Sequence, residues 1–332
     1  MTIKFCGAAR AVTGSSHLLT LDDGFSILLD CGLYQGNDNA LDNFNNNWYF
    51  DPKSIDCMVL SHAHIDHCGR IPKLYKDGFR GSVFCTHATR DLASIMLMDS
   101  ARIQVRDAEY LNKKSGRYAF GQATALYDTR DVKHSIEDFV GIGYEHWYRI
   151  HPNVEILLRD AGHILGSASV VLRIKRADGS TTTFGFSGDI GRPDRPILRD
   201  PLAMEQCDYL ICESTYGAKW HQGRPDDENT LLKIIKETCI DNQGKLIIPA
   251  FSVGRTQEIV YMLDTLETYG KLTQIPVFVD SPLAINATQI FQSHPECFDD
   301  ELMEYLLFDP NPWGFNRLRY VRRVSDSKKL NQ

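Results

Sequence analysis

Six consecutive residues, His62-Ala63-His64-Ile65-Asp66-His67, concentrate three imidazoles and a carboxylate. Imidazole nitrogens and carboxylate oxygens are the donors that Zn²⁺ takes in hydrolytic sites. The cluster follows the apolar run Met58-Val59-Leu60, so it lies where a buried strand ends. In extended backbone His62 and His64 project to one side, and the following turn carries Asp66 and His67 towards a second, neighbouring point. As plain core packing the set is costly, because each member needs a polar partner. The alternative is a polar surface turn.

Two later loops offer what the cluster lacks. Gly162-His163-Ile164-Leu165-Gly166 places one histidine between glycines after a strand, and Gly188-Asp189-Ile190-Gly191 does the same for an aspartate. Flanking glycines let the backbone turn sharply and approach an ion. Asp30, in LLDCG, reads either as a turn cap or as a carboxylate that orients a ligand histidine. Glu213, in ICESTYG, has the same character. Ser252, Gly254 and Arg255 sit at a strand-to-helix turn that is either a phosphate contact or ordinary packing.

The elements that position these residues follow from the pattern. SSHLLTL and FSILLDCG flank Asp22-Asp23-Gly24, a hairpin signal. Strand and helix alternate through CMVLSHAHIDHCGRIPKLYKDG and GSVFCTHATRDLASIMLMDS, and residues 102–145 read as mostly helical with a loop near Ser115-Gly116. A second β-rich block starts near Val154 and includes the turn Ala177-Asp178-Gly179; CDYLICESTYG reads as one more buried strand. Beyond Glu213 the pattern changes. An amphipathic helix with Leu231, Leu232, Ile235 and Cys239 on one face is followed by GKLIIPAFSVGRTQE and IPVFVDSPLAINATQIF, each read as strand, loop and helix. Such alternation implies a parallel sheet.

Composition narrows the functional classes. At 332 residues, 43% hydrophobic and 24% charged, the chain suits a globular protein of one large or two ordinary domains. No apolar stretch reaches the ~20 residues of a membrane span, and the N-terminus lacks a signal-peptide pattern, so a cytoplasmic location is expected. The net charge of -7 argues against a broadly basic nucleic-acid surface. Arg317, Arg319, Arg322, Arg323, Lys328 and Lys329 nevertheless crowd the last segment, which reads as a solvated strand and loop or as a local basic groove. Nine cysteines without a CxxC pair read as thiols in a reducing compartment, and Cys68 as a packing residue.

HAHIDHCG resembles the HxHxDH signature of metallo-β-lactamase-fold hydrolases. Asp30, the 62–67 cluster, His163 and Asp189 match that superfamily's first four motifs in order. ICESTYG, PAFSVGRTQE and DSPLAINATQIF resemble the β-CASP branch, mostly RNA and DNA nucleases, and within it the proteins related to the polyadenylation cleavage endonuclease. The resemblance implies an α/β fold: a metallo-β-lactamase αββα sandwich over 1–215, with an inserted, partial β-CASP-like parallel-sheet domain over 216–332. It implies that His62, His64 and His163 hold one zinc, Asp66 and His67 the other, and that Asp189 bridges them. Asp66, Glu213 and Asp30 would serve catalysis, and Ser252 and Arg255 the substrate. The implied reaction is hydrolysis of RNA phosphodiester bonds by a hydroxide held between two ions, with single-stranded DNA as the alternative substrate.

The family pattern continues for more than a hundred further residues and supplies two more histidines, one a ligand of the second zinc. This sequence stops at SDSKKLNQ, so the expectation is a truncated or impaired form whose second metal lacks a protein ligand. His221 matches a histidine that usually follows ESTYG, and His294 ends a helix. An uncovered sheet edge is expected to drive association, as a homodimer or as aggregates. Two competing functions are a small-ester or thioester hydrolase of the same fold, and a weakly active or noncatalytic nucleic-acid-binding form. Metal stoichiometry with an RNA cleavage assay separates them.

Overall fold

The computed structural model describes residues 1–36, 43–115, 123–220, 227–272 and 275–330; Gly116 and His221 lie outside the described residues. The chain divides into two compact units, residues 1–193 with 200–213, and residues 194–199 with 214–332.

Among the described residues the first unit contains two sheets. One runs in the order β1 (Thr2–Gly7), β2 (Ser16–Thr20), β3 (Ser26–Leu29), β4 (Cys57–Val59), β5 (Ser82–Thr86) and β6 (Phe139–Ile142). β1 to β3 are antiparallel, and β3 to β6 are parallel. Parallel neighbours need crossovers. Helices α1 (Ile65–Cys68) and α2 (Ile71–Lys76) carry the chain from β4 to β5, and α3 (His87–Ser115) and α4 (Thr129–Ile136) carry it from β5 to β6. The other sheet has the order β11 (Tyr209–Ile211), β10 (Thr181–Phe186), β9 (Ala168–Lys175), β8 (Val154–Asp160) and β7 (Tyr148–His151).

The sheets share one core because their strands alternate. Val154, Ile156 and Leu158 of β8 and Ala168, Val170, Leu172 and Ile174 of β9 pack in one cluster with Leu19, Ile27, Leu29 and Val59 of the other sheet. Each fully buried Val, Leu or Ile in this cluster stabilises the fold by about 1.5–3 kcal/mol. This packing fixes the strand ends, and the polar loops with them.

The second unit holds α5 (Asp227–Ile235), α6 (Arg255–Thr268), β12 (Val277–Val279), α7 (Pro282–Ser293), α8 (Asp300–Tyr305), β13 (Leu318–Tyr320) and α9 (Val324–Leu330). β12 and β13 pair in parallel. Leu263 and Leu266 of α6, Ala284 and Phe291 of α7, and Trp313 are buried.

Two expectations are corrected. Residues 245–250, read as a strand, form none, and Ile247 is 84% exposed. A strand exists through its ladder partner, and this segment has none among the described residues. CDYLICE, read as a buried strand, supplies the edge strand β11 instead: among the described residues it pairs with β10 alone, and Tyr209 and Leu210 are exposed. Among the described residues no helix is long and apolar enough to cross a membrane.

Candidate metal centre

The site is built from strand ends. Asp30 follows β3, residues 60–64 follow β4, His163 follows β8, Asp189 follows β10 and Glu213 follows β11. Backbone hydrogen bonds tie these loops together. Ser15 N donates to Asp66 O at 2.8 Å, Cys31 N to His67 O at 2.8 Å, Ala168 N to Ser61 O at 2.9 Å and Gly191 N to Ala161 O at 2.8 Å. Two glycines permit the close approach. A β-carbon on Gly32 would fall 1.6 Å from Asp66 O, and one on Gly191 would fall 1.8 Å from Gly162 O.

His62, His64, His163 and Asp189 each turn a donor atom to one point, all within 4.8 Å of one another. His64 Nδ1 lies 3.0 Å from His62 Nε2 and 3.1 Å from His163 Nε2. Asp189 Oδ2 lies 3.8 Å from His62 Nε2 and 3.5 Å from His163 Nε2. Four donors at ~2.0–2.1 Å from a tetrahedral zinc stand about 3.3 Å apart, so this donor set fits such an ion. The other Asp189 oxygen, Oδ1, faces His67 Nε2 at 3.3 Å, and Asp66 Oδ2 lies 3.9 Å from the same nitrogen. Asp189 thus stands between two histidine groups. Among the described residues, only the first of these groups closes as a set of three or more donors within that span.

Hydrogen bonding sets the tautomers. Asp30, fully buried, accepts from Ser61 N at 2.8 Å, Ser61 Oγ at 2.9 Å, Ser15 Oγ at 3.1 Å and His67 Nδ1 at 2.6 Å. The single Ser61 hydroxyl proton goes to this carboxylate, so towards His62 Nδ1, 3.0 Å away, Ser61 Oγ accepts. His62 therefore carries its proton on Nδ1 and presents the Nε2 lone pair to the centre. The Nδ1 proton of His67 is held by Asp30, which reserves Nε2 for the site.

Electrostatics follow from burial and neighbours. Burial, then the other three histidines, holds the pKa of His62 well below the ordinary value. Burial with His163 and His67 lowers that of His64 to about 3. Both imidazoles are neutral donors at pH 7. Burial opposes charge on His67, yet Asp30 and Asp189 raise its pKa well above normal. Burial works to raise Asp189, but His67, His163 and His64 outweigh it and the pKa falls. Burial raises that of Asp66 against the pull of His67. Three carboxylates around His67, those of Asp30, Asp66 and Asp189, make this side favour a cation.

Glu213 Oε1 accepts from Ile190 N at 2.9 Å, and Glu213 N donates to Ser187 Oγ at 2.9 Å, so Glu213 braces the Asp189 loop. Ser252 and Arg255 belong to the second unit. Ser252 Oγ lies 3.0 Å from Ser281 Oγ, and Arg255 pairs with Glu258 at 2.9 Å. Glu258 also binds Arg195. Cys68 is buried, its thiol donating to Ala63 O.

The sequence reading missed Ser15, Ser61 and Arg70. Ser61 carried a signal, being the last residue before the cluster at a buried strand end. Ser15 and Arg70 carried none, because their partners are remote in sequence. Arg70 is 1% exposed, donates from Nε to Gly32 O at 2.8 Å and lies 4.1 Å from the Phe44 ring and 4.6 Å from the Trp48 ring. It thereby clamps the chain just beyond Asp30.

Comparison with known proteins agrees with this architecture. The metallo-β-lactamase superfamily model matches residues 9–79, and the β-CASP domain model matches residues 256–332. A protein of Thermus thermophilus named Ribonuclease TTHA0252 is 35% identical over the whole chain, which covers 70% of that protein. A transcription termination factor of Methanocaldococcus jannaschii is 31% identical over 99% of the chain, and the Drosophila melanogaster cleavage and polyadenylation specificity factor 73 is 29% identical over 98%. The chain spans 49% and 44% of those two proteins. The superfamily implies divalent-metal binding, for which the His/Asp cluster is suited. With both family models matched in order and a relative aligned from end to end, the chain belongs to the β-CASP branch of the metallo-β-lactamase superfamily.

Proposed function

We propose that this chain is a zinc-dependent hydrolase that cleaves RNA phosphodiester bonds. In this reading His62, His64, His163 and Asp189 hold one ion, and Asp66, His67 and Asp189 hold a second with one protein ligand fewer. The observation that carries it is the convergence of four donors from three loops, with the two Asp189 oxygens facing different histidine groups. The RNA substrate is supported by the relatives named as a ribonuclease and as a cleavage and polyadenylation factor. Single-stranded DNA is the alternative polymer.

When bound, the ions supply Lewis acidity at the phosphoryl oxygens and activate water near neutral pH. The residues do the rest. Asp30 and Ser61 lock the ring orientations and tautomers of His67 and His62. Asp66, partly exposed and 3.9 Å from His67 Nε2, orients the attacking water and draws on its proton beside the ion it would hold. Glu213 keeps the Asp189 loop in place through Ile190 N. Ser252 and the half-exposed Arg255 guanidinium are the proposed phosphate contacts. The free thiols support a reducing, cytoplasmic setting, and the exposed edge strand β11 supports a homodimer.

Metal analysis beside an RNA cleavage assay tests this. The purified chain is expected to carry two zinc equivalents and cut labelled RNA, and His64→Ala to lose one equivalent and the cleavage. A folded protein that binds no divalent metal at micromolar concentration refutes the proposal.

A further inference from the structure

The second unit contains a cavity of about 310 Å³ between α7 and β13. Its walls follow from the two periodicities. Ile285, Thr288, Gln289 and Gln292 recur at helical spacing on one face of α7, and Leu318, Tyr320 and Arg322 alternate along the strand and just past it. Trp313 and Phe315 form a floor that is almost entirely buried. Gln289, Gln292, Asn311 and Arg322 form an exposed polar rim.

Three features of this groove point to one class of ligand. Gln292 Nε2 donates to Asn311 Oδ1 at 3.0 Å. That bond leaves Gln292 Oε1 as an acceptor and Asn311 Nδ2 as a donor, neither with a hydrogen-bond partner among the described residues. An acceptor and a donor on one bonded amide pair match the hydrogen-bonding groups along the edge of a nucleobase. Arg322 has no ion-pair partner among the described residues, and Asp326 is the only acid among residues 317–332, which hold six Lys and Arg. In a protein of net charge -7 this is a local basic patch, suited to a phosphodiester. The volume sits at the small end of ligand pockets, which admits a base with its ribose and not a large cofactor.

We infer that this groove binds one nucleotide of single-stranded RNA, its base at the Gln292–Asn311 pair and its phosphate on Arg322. The choice of RNA over another anionic polymer rests on the nuclease reading above. It adds a recognition site built wholly within the second unit.

The test is fluorescence anisotropy with the full chain as purified and a short labelled single-stranded RNA whose phosphorothioate backbone resists cleavage. Arg322→Ala and Asn311→Ala are each expected to weaken binding roughly tenfold. Arg323→Ala removes the same charge one residue away and is expected to change affinity by less than about twofold. An RNA lacking one base is expected to lose the difference between wild type and Asn311→Ala. Circular dichroism melts confirm folding, and hydrolysis of bis(p-nitrophenyl) phosphate, which reports on the metal centre alone, is expected to be unchanged in all three variants. Equal losses in Arg322→Ala and Arg323→Ala, or full RNA affinity in the groove variants, overturn the inference even if RNA is cleaved. Conversely, weakened binding in the groove variants with no hydrolysis of RNA or the small diester by wild type upholds the groove and sinks the nuclease reading.

Discussion

Replacing Asp30 by asparagine separates the charge beneath the metal centre from its shape. Asp30 adopts φ 57°, a left-handed conformation that asparagine tolerates about as well as aspartate, so the backbone is not the variable. Three donors converge on Oδ2 and one on Oδ1. The better asparagine rotamer keeps its carbonyl towards the three and turns its NH₂ against Ser61 N–H. One buried hydrogen bond is lost, at a cost of about 1–3 kcal/mol, which for a unit of this size lowers Tm by about 2–12 °C. The larger effect falls on the metal. A neutral amide holds the His67 Nδ1 proton less firmly, so Nε2 becomes a poorer donor, and zinc affinity is expected to drop 10- to 100-fold, about 1.4–2.7 kcal/mol. Competition with a chromophoric chelator at pH 7, on protein shown to be folded by circular dichroism, measures this. Unchanged zinc affinity in the folded variant refutes the idea that Asp30 tunes the site through His67.

Two further outcomes follow from the same geometry. Gly32→Ala would place a β-carbon 1.6 Å from Asp66 O, so the turn carrying Asp66 and His67 must move; a loss of about 1–3 kcal/mol in urea denaturation and weakened metal binding are expected. In the second unit, buried Asp264 accepts from Tyr305 Oη at 2.8 Å, has no partner for Oδ1 among the described residues, and has its pKa raised by burial from 3.8 to about 6. The native state therefore binds this proton more tightly than the unfolded chain, so its contribution to stability falls as pH rises from about 4 to 6 and levels off above. Asp264→Asn removes the ionisation cost, and thermal melts should show it stabilised relative to wild type by about 1–3 kcal/mol at pH 8 and by less at pH 5; a gain independent of pH contradicts this.

Much of the fold was legible because its signals are local. The hairpin at Asp22-Asp23-Gly24 and the strand-to-helix alternation around residues 58–115 need only turn chemistry and side-chain periodicity, and they appear as β2–β3 and β4–α1–α2–β5–α3. The candidate donors were legible as residue types at strand ends, since a strand that runs from apolar to His or Asp between glycines has few structural uses. Residues 245–250 and β11 were misread for one shared reason. Apolar sequence shows that a segment is able to form a buried strand, but burial depends on what lies beside it, and neither segment has a neighbour on its open side among the described residues. The sequence by itself determined which groups were available to bind a cation. Only the tertiary structure decided that His163 and Asp189, about a hundred residues or more beyond His62, stand within 4 Å of that cluster's nitrogens, and that Ser15, Ser61 and Asp30 hold the rings. Those distances are set by the two sheets packing on a common core, which fixes where each strand ends, and no local pattern encodes that.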